Sequence, residues 1–318
     1  MTALLEVLIV AVLVAETLAI GQGAQVASVL AELRQALGGE PAFAAVKTVA
    51  IEGTRTRVVA EGQSHASAFE MAMELELPVR FVQKQVLATF NGIEIARTSG
   101  FSDGELIEKT DAPPQMGGGH MMIRMAPGGM PGGEPTPEQV ASQRAGLMAS
   151  ARRDFARFAL GMFGAGTDSV PLEFAYAGLA ESPDTKAHVL AVTGPDGFDA
   201  KLFVDTASHL PLMLTWMEKE PIVMQAGRSG GGTQVVQRNT GSPQDVERVR
   251  AEMEQRMRKA EASRPVVEYR LFYADYKAFD GVRFPTRLQR MIDGAPVEEI
   301  IFDKVKVNGK LDSKLFEK

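Results

Sequence analysis

The chain has 318 residues, 45% of them apolar, which is enough for one large domain or two smaller ones with a buried core and excludes disorder throughout. A net charge of -6 and a pI near 5.4, with both signs spread along the chain, supply no broad basic field of the kind that holds nucleic acid. Cysteine is absent, so disulfides, thiol nucleophiles, thiolate zinc sites and a lipidated N-terminal cysteine are excluded.

Val7 to Ala15 carries no charge and is followed by Glu16 and the small-residue stretch Ala19-Ile20-Gly21, which predicts a signal peptide over residues 1–21, cleaved before Gln22, and export to the periplasm. The usual basic n-region is missing, because no Lys or Arg occurs before Arg34. Two alternatives stay open: an uncleaved leader that anchors the protein to the membrane, and an ordinary core helix. Against a spanning helix, Glu6 and Glu16 are costly in the apolar zone, and the uncharged run falls short of the ~20 residues a bilayer needs.

Next, Val26, Val29, Leu30, Leu33 and Leu37 form one helical stripe that Gly38-Gly39 ends. The texture then turns to β-type runs over 47–61, 64–77 and 79–97, with Phe69, Met71, Met73, Leu75 and Leu77 alternating against Glu70, Glu74 and Glu76. Three more strands read off near the C-terminus, over 266–278, 282–292 and 297–307. The dipeptides Asn91-Gly92, Asp103-Gly104, Asp196-Gly197, Asp280-Gly281, Asp293-Gly294 and Asn308-Gly309 accept the positive φ of tight hairpins and predict an antiparallel meander.

Two segments and one further helix interrupt this pattern. Residues 111–136 are rich in Gly, Pro and Met and predict a flexible loop. Thr136 is the expected N-cap, with Pro137 at the first position, of a helix running to about Phe163. Its apolar face is Val140, Leu147, Ala151, Phe155, Phe158 and Met162, with Arg144, Arg152, Arg153 and Arg157 largely elsewhere. Residues 219–264 predict a charged, solvent-facing helical insertion.

Catalytic signatures are missing: the four histidines His65, His120, His188 and His209 are scattered, and no phosphate loop, nucleophile elbow or zinc-protease motif occurs. The carboxylates Glu70, Glu74, Glu76, Glu298 and Glu299 alternate with apolar residues and read as wet strand faces. The reading is therefore a protein that is not an enzyme and needs no cofactor. A weak alternative is copper handling, since Met116, His120, Met121, Met122, Met125 and Met130 are soft ligands on one loop; the plainer reading is a loop covering a hydrophobic opening.

The run Asp275-Tyr276-Lys277-Ala278-Phe279-Asp280-Gly281-Val282-Arg283-Phe284-Pro285, followed by Val297 to Phe302 and Val305 to Asn308, resembles the ending of LolA/LolB-like lipoprotein carriers. Leu202-Phe203-Val204-Asp205-Thr206-Ala207-Ser208-His209-Leu210-Pro211-Leu212 is similar to that family's strand, turn and Leu-Pro strand entry. The resemblance implies a mainly β fold with helices (α+β), an antiparallel incomplete β-barrel whose concave face is covered by helices, formed by a single domain over 22–318. It implies a non-catalytic carrier that holds lipid or the acyl chains of a protein, with Phe155, Phe158, Met162, Leu212, Leu214 and Trp216 as cavity-lining residues. Other envelope proteins and the membrane surface are further partners it leaves open. An envelope scaffold without a ligand is the alternative function.

Overall fold

A computed structural model describes residues 19–58, 67–90, 93–111, 136–220 and 262–317, together with Gln255 and Lys259. The leader up to residue 18, the Asn91-Gly92 dipeptide, the Met-rich loop 112–135 with its copper-ligand candidates, and most of the charged insertion lie outside the described residues.

By their internal contacts the residues form two units. The larger comprises Met1–Pro113, Ala141–Met217 and Glu268–Lys318; the smaller comprises Pro114–Val140 and Glu218–Val267. In the smaller unit, Thr136 and Gln139 cap each other reciprocally: Gln139 N–H donates to Thr136 Oγ1 at 3.2 Å and Thr136 N–H donates to Gln139 Oε1 at 3.0 Å. Arg264 Nε donates to the carbonyl of Glu220 at 2.8 Å.

Twelve strands form one sheet that does not close into a barrel. In chain order they are β1 (Thr48–Arg57), β2 (Ser67–Glu76), β3 (Arg80–Phe90), β4 (Ile93–Ser102), β5 (Glu105–Asp111), β6 (Glu173–Glu181), β7 (Lys186–Gly194), β8 (Phe198–Asp205), β9 (Pro211–Lys219), β10 (Val266–Phe279), β11 (Val282–Ile292) and β12 (Ala295–Val307). Their spatial order is β5-β4-β3-β2-β1-β12-β11-β10-β9-β8-β7-β6. Two meanders thus meet where the first strand pairs antiparallel with the last, Val49 opposite Val307 and Arg57 opposite Glu298.

The hairpin dipeptides work as their chemistry requires. Asp103, Asp196, Asp280 and Asp293 all have φ between 47° and 59°, each followed by a positive-φ glycine. Asn308-Gly309 is the exception. It follows the last strand, and its Asn side chain ties the start of β1 instead, accepting from Lys47 N–H at 2.8 Å and donating to the carbonyl of Ala45 at 2.9 Å.

Three helices are described: α1 (Ala19–Leu37), α2 (Glu40–Ala45) and α3 (Pro137–Phe163). None of the described helices is long and apolar enough to cross a membrane. On α1, Val29, Leu33 and Leu37 are buried. The expected glycine stop is a Schellman cap, with Gly39 N–H donating to Arg34 O at 2.8 Å and Gly38 N–H to Gln35 O at 3.2 Å.

The chain leaves the sheet at one edge, β5, and returns at the other, β6, and α3 lies between them in sequence. The buried part of α3 is its C-terminal half, from Ala151 through Phe163. Phe155 meets Phe81 of β3 at 5.1 Å and Phe101 of β4 at 5.5 Å between ring centroids, whereas Phe163 meets Phe284 of β11 at 5.8 Å. This helix therefore reaches both meanders, and the sheet face it covers is the inner face.

Candidate functional site

Beside the aromatic contacts, α3 and the inner face enclose a cavity of about 320 Å³, at the small end of the range typical of ligand sites. Met73, Phe81, Phe158, Leu271, Leu288 and Ile300 contribute its apolar walls. Strand alternation puts all of them but Phe158, which comes from α3, on that face, since side chains two residues apart on a strand share a face. Helix α3 approaches closely because it is glycine at 161: a Cβ there would stand 2.2 Å from the ring of Tyr273. Tyr273 in turn donates its hydroxyl to the carbonyl of Arg157 at 2.6 Å, and burial pushes its phenol pKa far above the ordinary value.

The same cavity is also strongly charged. Five arginines line it (Arg55, Arg57, Arg97, Arg157 and Arg290) with three carboxylates, Glu108, Asp154 and Glu298. Arg97 pairs with Glu108 at 2.6 Å and Arg157 with Asp154 at 2.8 Å. The guanidinium of Arg157 also lies 4.2 Å above the ring of Trp216, which stacks on Tyr269 at 5.2 Å. Glu298, only 4% exposed, is shared by Arg55 and Arg290. Arg55 additionally donates to Gln85 Oε1 at 2.8 Å. Burial pulls the Arg55 guanidinium below its ordinary pKa, and the charge and hydrogen bond of Glu298 oppose that pull.

Two sequence expectations are corrected here. Glu298 is not on a wet face: with Ile300 and Phe302 it shares the buried face of β12, because a guanidinium pair takes the place of water. Arg157 does not point away with the other helix arginines; its side chain is 12% exposed and lines the cavity.

Of the six residues expected at a ligand site, Phe158 lines this cavity. Phe155, Met162, Leu214 and Trp216 are buried, Trp216 beneath Arg157. Leu212 lies elsewhere. The β8–β9 register shifts between Phe203 and Val204, so the bulge at Pro211 and Leu212 turns Leu212 to the same side as its neighbour Met213. There it borders a second, mostly apolar recess of about 270 Å³ with Phe203, Met213 and Phe272. Among the described residues no group of three or more His, Asp or Glu is placed to hold a metal ion.

The sequence reading missed the arginines of β1. A signal exists, because Val49 and Ile51 have the same parity as Arg55 and Arg57, so the buried face of that strand continues into guanidinium groups.

No protein-family model matches the chain. No curated protein sequence matches it either. Solved structures similar to it include a LolA superfamily protein from Nitrosomonas europaea, at 9% identity and a TM-score of 0.43 over 92% of this chain and 97% of the other. A protein described as an outer membrane lipoprotein-sorting protein domain, from Vibrio parahaemolyticus, is 10% identical with a TM-score of 0.44 over 90% of this chain and 94% of the other. A DUF1329 family protein from Desulfovibrio piger is 8% identical with a TM-score of 0.38, covering 91% of this chain and 95% of the other.

Proposed function

We propose that this protein is an exported, non-catalytic binding protein of the periplasm that holds an apolar chain, from a lipid or an acylated protein, in the cavity between α3 and the inner face of the sheet. The observation that carries the reading is that cavity, walled by Phe81, Phe158, Leu271, Leu288 and Ile300. No nucleophile is needed, because holding works by burial, at about 0.8 kcal/mol for each CH₂ removed from water. Release then requires α3 to shift, or a partner to take the chain over.

The test is uptake of a neutral apolar dye, with native mass spectrometry of the protein purified from its own envelope. Dye fluorescence should rise on binding, a co-purified lipid or acyl peptide should appear, and Ala151→Leu, which fills the cavity wall, should lower dye affinity severalfold at unchanged helix and strand content. A clean apo mass with no dye uptake overturns the reading. The recess at Leu212, Met213 and Phe272 supports the second reading, an envelope scaffold that binds a protein partner. In that case Leu212→Arg abolishes partner capture while the cavity variant Ala151→Leu leaves it intact.

A further inference from the structure

A cavity meant only for hydrocarbon has no use for guanidinium groups, which are costly to keep out of water. Here they are concentrated at one place. In the sheet register Arg57 of β1 and Arg290 of β11 stand directly opposite Glu298 of β12, one on each side, so the three make a row across the strands on the inner face. Arg55, two residues along β1 from Arg57, closes on the same carboxylate. Three cations thus surround one anion.

The pairing inside this group is incomplete. Glu298 is engaged by Arg55 and, at 3.4 Å, by the terminal nitrogen of Arg290. The Nε–H of Arg290 is buried and has no acceptor among the described residues. Arg57 lines the cavity and is exposed. Beside the row stand Leu271, opposite Arg290 on β10, Leu288 on β11 and Ile300 on β12. A cationic end therefore adjoins an apolar wall in one cavity, which is the complement of an anionic amphiphile.

We propose that the row Arg57, Glu298 and Arg290, with Arg55, is the head-group end of the cavity and takes the anionic oxygens of a single-chain amphiphile, a carboxylate or a phosphate, while the chain lies along Leu271, Leu288 and Ile300. Arginine suits this task because its planar fork meets two oxygens at once. Arg57 and Arg290 supply the donors to the ligand, and Glu298 holds Arg55 and Arg290 in place. This rests on the apolar-binding reading above and adds the chemistry of the head.

The experiment is calorimetric titration of the full chain with four probes: dodecanoate and dodecyl phosphate below their micelle concentrations, dodecanol below its solubility limit, and inorganic phosphate. Charge-assisted hydrogen bonds of about 1.5–3 kcal/mol correspond to a preference of roughly ten- to a hundredfold for dodecanoate or dodecyl phosphate over dodecanol. Arg57→Gln, which disturbs no ion pair among the described residues, should remove most of that preference, read as the ratio of anion to dodecanol affinity within the same variant, and Arg57→Lys should restore part of it. The carboxylate and phosphate arms separate a fatty acid from a phospholipid-type head. If dodecanol binds as tightly as the two anions, or Arg57→Gln leaves the preference intact, the head-group assignment is overturned and the apolar reading stands. Inorganic phosphate bound as tightly as dodecyl phosphate, with no dodecanol binding, overturns the apolar reading and keeps only the anion site. Binding of none of the four overturns both.

Discussion

At the scale of single residues, the buried Arg55–Glu298 pair sets the hardest constraint. Removing one partner leaves the other charged and desolvated, so Glu298→Gln should cost about 3–5 kcal/mol in urea unfolding, whereas the triple change Arg55→Met, Glu298→Leu and Arg290→Met, which removes every member of the group, should be neutral or even stabilising by about 1–4 kcal/mol. If the triple variant is as damaged as the single one, the group contributes more than mutual compensation. A second residue-scale prediction concerns Asp205. Partial burial raises its carboxyl, but hydrogen bonds from Ser208 Oγ at 2.7 Å and from the Ser208 and Ala207 N–H groups, with His209 nearby, outweigh that and hold its pKa below the ordinary value. A depressed folded pKa means stability that is full above the unfolded value of about 3.9 and is lost as pH falls through the folded value. Wild type should therefore lose its advantage over Asp205→Asn only below about pH 4, read from thermal midpoints across pH. The turn itself was legible in the sequence as strand, Asp turn and Leu-Pro entry. The role of Glu298 was not, because alternation along one strand cannot say which face is covered, nor that a carboxylate on the covered face has found its cations on two other strands.

Among the elements, α3 shows where local chemistry suffices and where it fails. Its start and stop were readable, since Thr136 with Gln139 and Gly164 at φ 60° are local devices. The depth of its docking was not, because that depends on Gly161 facing Tyr273 from a strand more than a hundred residues away. Val140, expected on the apolar face, is 46% exposed, while Ala156 and Ala159 are fully buried beside Phe155, Leu160 and Met162, so small residues share the line of contact with large ones. Gly161→Ala should lift the helix from β10, costing about 1–3 kcal/mol by overpacking and weakening the Tyr273 to Arg157 hydrogen bond, visible as loss of near-ultraviolet signal from Tyr273 and Trp216. An unchanged unfolding midpoint would show that Tyr273 swings aside freely. The bulge that redirects Leu212 is a similar case: one extra residue against Phe203 reverses a side-chain direction that strict alternation would assign wrongly.

On the scale of the whole molecule, the antiparallel meander was foreseeable from the Asp-Gly turns, because each fixes one neighbour pair. The turns carry no information about β1 with β12, which lie at opposite ends of the chain and whose pairing decides that the sheet is a single body of twelve strands. That seam also has a bearing on how the protein is made. β12 follows β1 by more than two hundred residues, so one side of β1 stays unmatched until that strand has been made, and contacts of such long sequence separation form slowly. Until β12 is in place the two meanders stay separate, and a chain that stops short of that strand exposes raw strand margins at β1 and β11 where the seam would be.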